Sequence, residues 1–255
     1  MKYDDTILWI LIEKERAGTD YCYDRNDGEI LHELCEEINR HLGYDLHYLA
    51  ELDMLKIPGS GEIVADYIQR FSSEFIRACL LHHFVHSGVK DCDSLILHLY
   101  HHFRESDAYM SQPGNPSPAH ITVRYDSVLK RLKPKKRKQE LLQILSNPRD
   151  AYYLPFTARM LASWKVPEYK ELLIKWAKEN AVSKQEMGFV GEFERAVPSY
   201  AVMKRELRFT AIHSLKYYPD SQVIAMLREF IEDKDQDVRA VANKSLCAIM
   251  DKCGS

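Results

Sequence analysis

The sequence predicts an all-α protein whose helices come in successive pairs. Three observations point there. A pattern recurs 31 residues apart: Leu207-Arg208-Phe209-Thr210-Ala211-Ile212-His213-Ser214-Leu215 aligns with Val238-Arg239-Ala240-Val241-Ala242-Asn243-Lys244-Ser245-Leu246, and a fixed period of this length marks stacked supersecondary units. Apolar residues elsewhere fall three or four apart, as in Ile30, Leu34, Ile38 and Leu42, which is the stripe of an amphipathic helix. Alternation of period two, the sign of half-buried strands, is almost absent.

In chain order, Asp4 or Asp5 can cap a first helix running to about Arg16, because an aspartate carboxylate accepts from the open N–H groups of the first turn. Asn26 or Asp27 caps a second helix that ends at Gly43. These first 45 residues read as an N-terminal helical cap, and 46–255 as repeats. Leu46-His47-Tyr48-Leu49-Ala50 fits the register of Leu207 to Ala211, and Lys56-Ile57-Pro58 is the turn that follows. Helices are expected over Ser60–Phe71, over Ser73–His86 with Ile76-Arg77 in the slot of Val238-Arg239, and from Asp93 to about Arg104. The segment 106–120 holds three prolines and reads as a long loop. A further helix around Val123-Arg124 ends at Pro134, and Lys135–Leu145 continues as helix. Leu154, Phe156, Thr157 and Ala158 match Leu207, Phe209, Thr210 and Ala211; Lys165-Val166-Pro167 repeats the earlier turn, and a helix follows to about Ala181. The stretch 183–198, with Gly188 and Gly191, reads as an insertion before the strong C-terminal pair.

These repeated helix–turn–helix units resemble the HEAT repeat of the armadillo-type α-solenoids. The resemblance is close over the last 50 residues and weaker over about 46–104. It implies a right-handed α-α superhelix, with irregular insertions, in which each unit buries its apolar stripe only against its neighbours. It also implies that Arg77, Arg208 and Arg239 form an internal ladder with acidic residues of adjacent units.

Composition narrows the function. The 255 residues include 45% apolar residues, enough for a sizeable core, and carry a net charge of −3, so no global field draws the chain to nucleic acid or an anionic membrane. The six cysteines form no Cys-x-x-Cys pair, which fits a reduced cytoplasmic protein. The apolar run Ile7–Ile12 is too short for a signal sequence, and no segment is long enough to span a bilayer.

Several clusters are candidates for chemistry. His82 with His86, and His98 with His102, stand four apart on helix faces; an antiparallel hairpin about residue 90 would bring both pairs to one metal ion. Core packing, carbonyl bonding or solvation is the competing role. Lys130, Arg131, Lys133, Lys135, Lys136, Arg137 and Lys138 form a run without an anion that could meet phosphates or an anionic partner, or simply make a solvated corner. Ile57-Pro58-Gly59-Ser60-Gly61 resembles a helix-hairpin-helix turn, which would present N–H groups to a phosphate, but fits a repeat turn better. Trp164, Asp150 and Arg159 are residue types that HEAT-like alkylpurine glycosylases use, without a motif that fixes their roles here. No nucleophile elbow, phosphate loop or His-Glu-x-x-His motif occurs.

The expected function is therefore a non-catalytic protein-binding module, an adaptor or a neutralising partner of another protein, with no cofactor and no membrane contact. Tyr109, Trp164, Arg208 and Arg239 are its expected contact residues. A nucleic-acid-binding protein using the 130–138 run, with base repair as its enzymatic form, is the second reading. A histidine-ligated metalloprotein is the third.

Overall fold

A computed structural model describes residues 5–17, 24–89, 92–110, 116–132, 134–179, 181–189 and 198–253. Among them every regular element is a helix. The chain divides into two compact units, one of residues 1–110 and 117–131, the other of 111–116 and 132–255.

The first unit contains α1 (Asp5–Arg16), α2 (Arg25–Leu42), α3 (Leu49–Met54), α4 (Gly61–Ile68), α5 (Glu74–His86), α6 (Asp93–Glu105), the single turn α7 (Asp107–Met110) and nearly all of α8 (Pro116–Leu129). Helix α3 packs on α1 and α5, and α4 packs on α2 and α5. Leu34, Ile38, Leu49, Leu52, Val64, Ile68, Ile76 and Leu80 are shut off from solvent between them. Each such side chain contributes about 1.5–3 kcal/mol by leaving water. Tyr100, Phe103, Tyr109 and Tyr125 join α6, α7 and α8 through an aromatic cluster, with Phe103 and Tyr125 stacked at 5.2 Å.

Carboxylates satisfy several helix starts, one locally and two from distant helices. Asp24 caps α2 by accepting from the Asp27 N–H. Asp27, expected from the sequence as a cap of α2, instead lies inside that helix and accepts from the N–H groups of Ser72 and Ser73 at 2.7 and 2.9 Å. Glu15 of α1 likewise accepts from the N–H groups of Leu49 and Ala50, both at 2.8 Å, at the head of α3. An exposed helix start could use water; a buried one needs such a partner. Gly43 ends α2 at φ +72°, in the left-handed region that a residue without a Cβ enters freely.

The second unit contains α9 (Pro134–Leu145), α10 (Pro148–Tyr153), α11 (Pro155–Ser163), α12 (Pro167–Ala177), α13 (Tyr200–Ser214), the 3-10 turn Leu215–Tyr217, α14 (Ser221–Phe230) and α15 (Gln236–Cys253). Helix α13 is central: α10, α11, α12 and α15 all pack on it. The two copies of the sequence pattern occupy α13 and α15, which lie against each other.

Prolines mark helix starts in the middle of the chain. Pro116, Pro134, Pro148, Pro155 and Pro167 each open a helix, where proline's fixed φ is already helical and its missing N–H has no intrahelical role. The 106–120 segment therefore differs from the long loop expected: α7 occupies 107–110 and α8 begins at Pro116, with 111–115 outside the described residues. Part of the 183–198 insertion is irregular, and its residues 190–197 also lie outside. Among the described residues, no helix is long and apolar enough to cross a membrane. Cys35, Cys79 and Cys247 are free thiols, and burial pushes Cys35 up to about 12.

Candidate functional site

Polar side chains concentrate in three places. The first is the face of α5 turned toward α3 and α8. His82 and His86 stand one turn apart with ring centres at 4.3 Å. His86 donates Nδ1–H to the His82 carbonyl at 2.7 Å and accepts at Nε2 from Arg131 at 3.0 Å, which fixes a neutral tautomer. Burial, and then the neighbouring His86, push His82 down to about 4. Asp53 and Arg124 also act on it and form an ion pair at 2.5 Å. His83 is buried and lowered by that burial. Its ring donates Nδ1–H to the Leu55 carbonyl at 3.1 Å, and its Nε2 lies 2.7 Å from Ser60 Oγ, whose one hydroxyl proton is shared with the Ile57 carbonyl, also at 2.7 Å. Ser60 is fully enclosed, so this serine–histidine pair stitches a turn and offers no nucleophile.

The metal arrangement drawn from the sequence does not form. Among the described residues no three His, Cys, Asp or Glu side chains come together as a metal ion needs. His82 and His86 face Arg124 and Arg131, His98 is exposed, and His102 turns to Glu74. Helical spacing placed each pair on one stripe correctly, but the two stripes point to different neighbours.

The second place is an open cleft of about 360 Å3 at the head of α5, whose lining includes Ser73, Glu74, Phe75, His102, Asp107 and Ile121. Glu74, with 7% of its side chain exposed, accepts at Oε1 from Arg77 at 2.7 Å and from His102 Nδ1 at 2.8 Å. Its Oε2 has no partner. The carboxylate thus holds the His102 ring and leaves Nε2 as its other polar atom. The serines here are otherwise engaged: Ser72 on Asp27, Ser73 under the Ile76 N–H, and Ser106 on the Phe103 carbonyl. Among the described residues the cleft therefore has an oriented imidazole without an activated hydroxyl. Sequence reading passed over Glu74; its place just after the capping Ser73 and three before Arg77 was the available signal.

The third place is in the second unit. Arg208 of α13 donates Nε–H to the Ala177 carbonyl at 2.9 Å and Nη2–H to Asp233 at 2.7 Å. Arg239, its counterpart one copy later, donates to the carbonyls of Asp233 and Lys234. Both arginines therefore end on the same turn ahead of α15 and are structural ties rather than open contacts. Arg205 pairs with Asp235 and Asp237 beside them. A cleft of about 190 Å3, whose lining includes Trp176, Lys204, Arg205, Arg208 and Asp235, opens at this junction.

Other expected contact residues fare differently. Tyr109 is buried edge-on against Phe103 at 5.4 Å, so the sequence expectation that it meets a partner is corrected: its ring belongs to the aromatic cluster. Trp164 is half-buried at the end of α11. Asp150 is fully buried, whereas Arg159 is exposed. In the basic run, Arg131 is engaged by His86 and Arg137 by Glu140 at 2.7 Å; Lys130 is exposed and Lys138 half-buried. Lys133 and the side chains of Lys135 and Lys136 lie outside the described residues. In the Gly59-Ser60-Gly61 turn Gly59 is exposed at φ +85°, whereas Ser60 and Gly61 are buried, and a Cβ on Gly61 would lie 2.2 Å from both Ser87 Oγ and Val89 Cγ2.

Compared with family models, curated proteins and solved structures, the chain has no match.

Proposed function

We propose that this chain is a HEAT-like repeat protein that binds another protein and catalyses no reaction. One observation carries the reading. The arginines at equivalent positions of the two sequence copies, Arg208 and Arg239, converge on the turn Asp233–Lys234 that leads from α14 into α15, and α15 packs on α13. Such a tie between neighbouring units is what the resemblance implies for its arginine ladder. It places the apolar residues of each copy, Leu207 and Ala211 in one, Val238 and Ala242 in the other, in the core. A stacked-helix array has the extended surface that protein recognition uses.

Among the described residues no activated nucleophile stands beside the oriented His102, which favours binding over catalysis. The engagement of Arg131 by His86 and of Arg137 by Glu140 favours a protein over a phosphate backbone. The test is affinity capture from native extract, with and without nuclease, using the wild type and a variant with Lys135→Glu, Lys136→Glu, Arg137→Glu and Lys138→Glu. A discrete protein retained in all arms is the expected result. Nucleic acid recovered by the wild type and lost in the variant would overturn it.

A further inference from the structure

The cleft at the head of α5 is rich in hydrogen-bond acceptors. Glu74 lines it, with Oε1 held by Arg77 and His102 while the buried Oε2 meets no donor. Water does not screen an enclosed oxygen, so the carboxylate keeps a negative field beside the cleft. An ionised carboxylate only accepts hydrogen bonds, so His102 Nδ1, 2.8 Å from Oε1, carries the ring proton. In the neutral ring Nε2 is then a lone pair, on a side chain that is 51% exposed. Asp107 adds an exposed carboxylate that has no ion-pair partner among the described residues.

Donors are scarce around these groups. Ser72 and Ser106 give their hydroxyl protons to Asp27 and to the Phe103 carbonyl. Among the described residues no lysine or arginine lines the cleft. Arg77 is taken up by Glu74, and Arg124, over the Phe75 ring, by Asp53. The volume of about 360 Å3 is of the size that admits one small group with its stem.

We infer that this cleft takes an arginine side chain of the partner protein. The guanidinium donates to His102 Nε2 and to the Asp107 carboxylate within the negative field of Glu74, and its aliphatic stem runs along the lining that Phe75 and Ile121 supply. A guanidinium suits this acceptor set because it is always charged, spreads five N–H groups in a planar fork and sheds water more readily than an ammonium. Arginine is also among the residue types that carry protein interfaces. A metal ion fits less well, because no three ligating side chains come together among the described residues. Glu74 is a positioning residue, acting through the His102 ring. The inference rests on the protein-binding reading above and adds the partner's chemistry.

The probe is an acetylated, amidated Leu-Arg-Leu peptide, titrated into the isotope-labelled chain at about pH 8, where an imidazole is neutral. NMR follows the His102 ring and the Ser73 and Asp107 amides, which should shift saturably. His102→Ala weakens binding by about tenfold, the loss of one hydrogen bond to a charged group. Asp107→Asn weakens it by about threefold, the loss of one exposed charge pair. Asp66→Asn, an exposed change on α4, alters it by less than about twofold. Replacing the arginine by citrulline, a neutral isostere, weakens binding by at least about tenfold. Glu74→Gln moves the His102 ring nitrogen signals from the Nδ1–H form toward a mixture of tautomers, a change that loss of packing alone would not produce. No saturable shift, equal binding of the citrulline peptide, or equal loss in Asp66→Asn would each overturn the inference. Butylguanidine bound as tightly as the peptide would overturn the assignment to a protein partner. The two readings also fail separately. A protein captured from extract equally well by the wild type, His102→Ala and Asp107→Asn leaves the scaffold standing and removes the arginine docking. Peptide binding lost in those variants, with no protein captured, keeps the cleft chemistry and removes the scaffold.

Discussion

Acid should weaken the first unit through His82 in particular. The ring titrates near 6.5 when solvated and at about 4 in the fold, because burial and then His86 oppose its charge. Between those values the unfolded chain holds more protons than the folded one. Stability is therefore complete above about pH 6.5 and is lost progressively as pH falls toward 4. A gap of about 2.5 in pH corresponds to about 3.4 kcal/mol at 1.36 kcal/mol per pH unit. Partial solvent access and sharing of the effect with His86 reduce this to about 2 kcal/mol for His82 itself. The assay is urea unfolding followed by circular dichroism at about pH 7.5 and about pH 4.5, on the wild type and on His82→Gln, which cannot gain the proton. Carboxylates titrate in both proteins, so the difference between the two losses isolates His82. The wild type should lose about 2 kcal/mol more than the variant. Equal losses would refute the assignment of a buried neutral imidazole.

Three other outcomes follow from the packing. Gly61→Ala should cost about 2 kcal/mol, since the new Cβ would stand 2.2 Å from Ser87 Oγ and Val89 Cγ2; an unchanged urea midpoint would remove the close approach of α4 to the end of α5. Asp27→Ala should cost about 2 kcal/mol by removing the buried carboxylate that accepts from the N–H groups of Ser72 and Ser73 at the half-buried start of α5. Hydrogen exchange should then quicken first in α5, and protection kept there would contradict the capping role. Arg208→Ala should cost about 2 kcal/mol and loosen the turn ahead of α15, because Asp233 and the Ala177 carbonyl lose their shared donor; a thermal melt identical to wild type would show that the tie is idle.

The helices themselves were legible from local chemistry. Ile30, Leu34 and Ile38 mark the buried stripe of α2, Gly43 its left-handed end, and Asp93 the start of α6, because the 3.6-residue period and the terminal N–H and C=O groups act within a few residues. Other assignments needed the fold. Tyr109 sits in a proline-rich stretch that looks like a surface loop, yet Phe103 buries it. His82 and His98 share a spacing with their partners, yet their stripes meet different neighbours. Asp27 has the composition of a local cap, yet it serves a helix start 45 residues away. Periodicity and capping depend on neighbours along the chain, which the sequence displays directly. Which stripe meets which, and which carboxylate reaches which helix start, depends on how whole faces pack, and that is decided only when the helices come together.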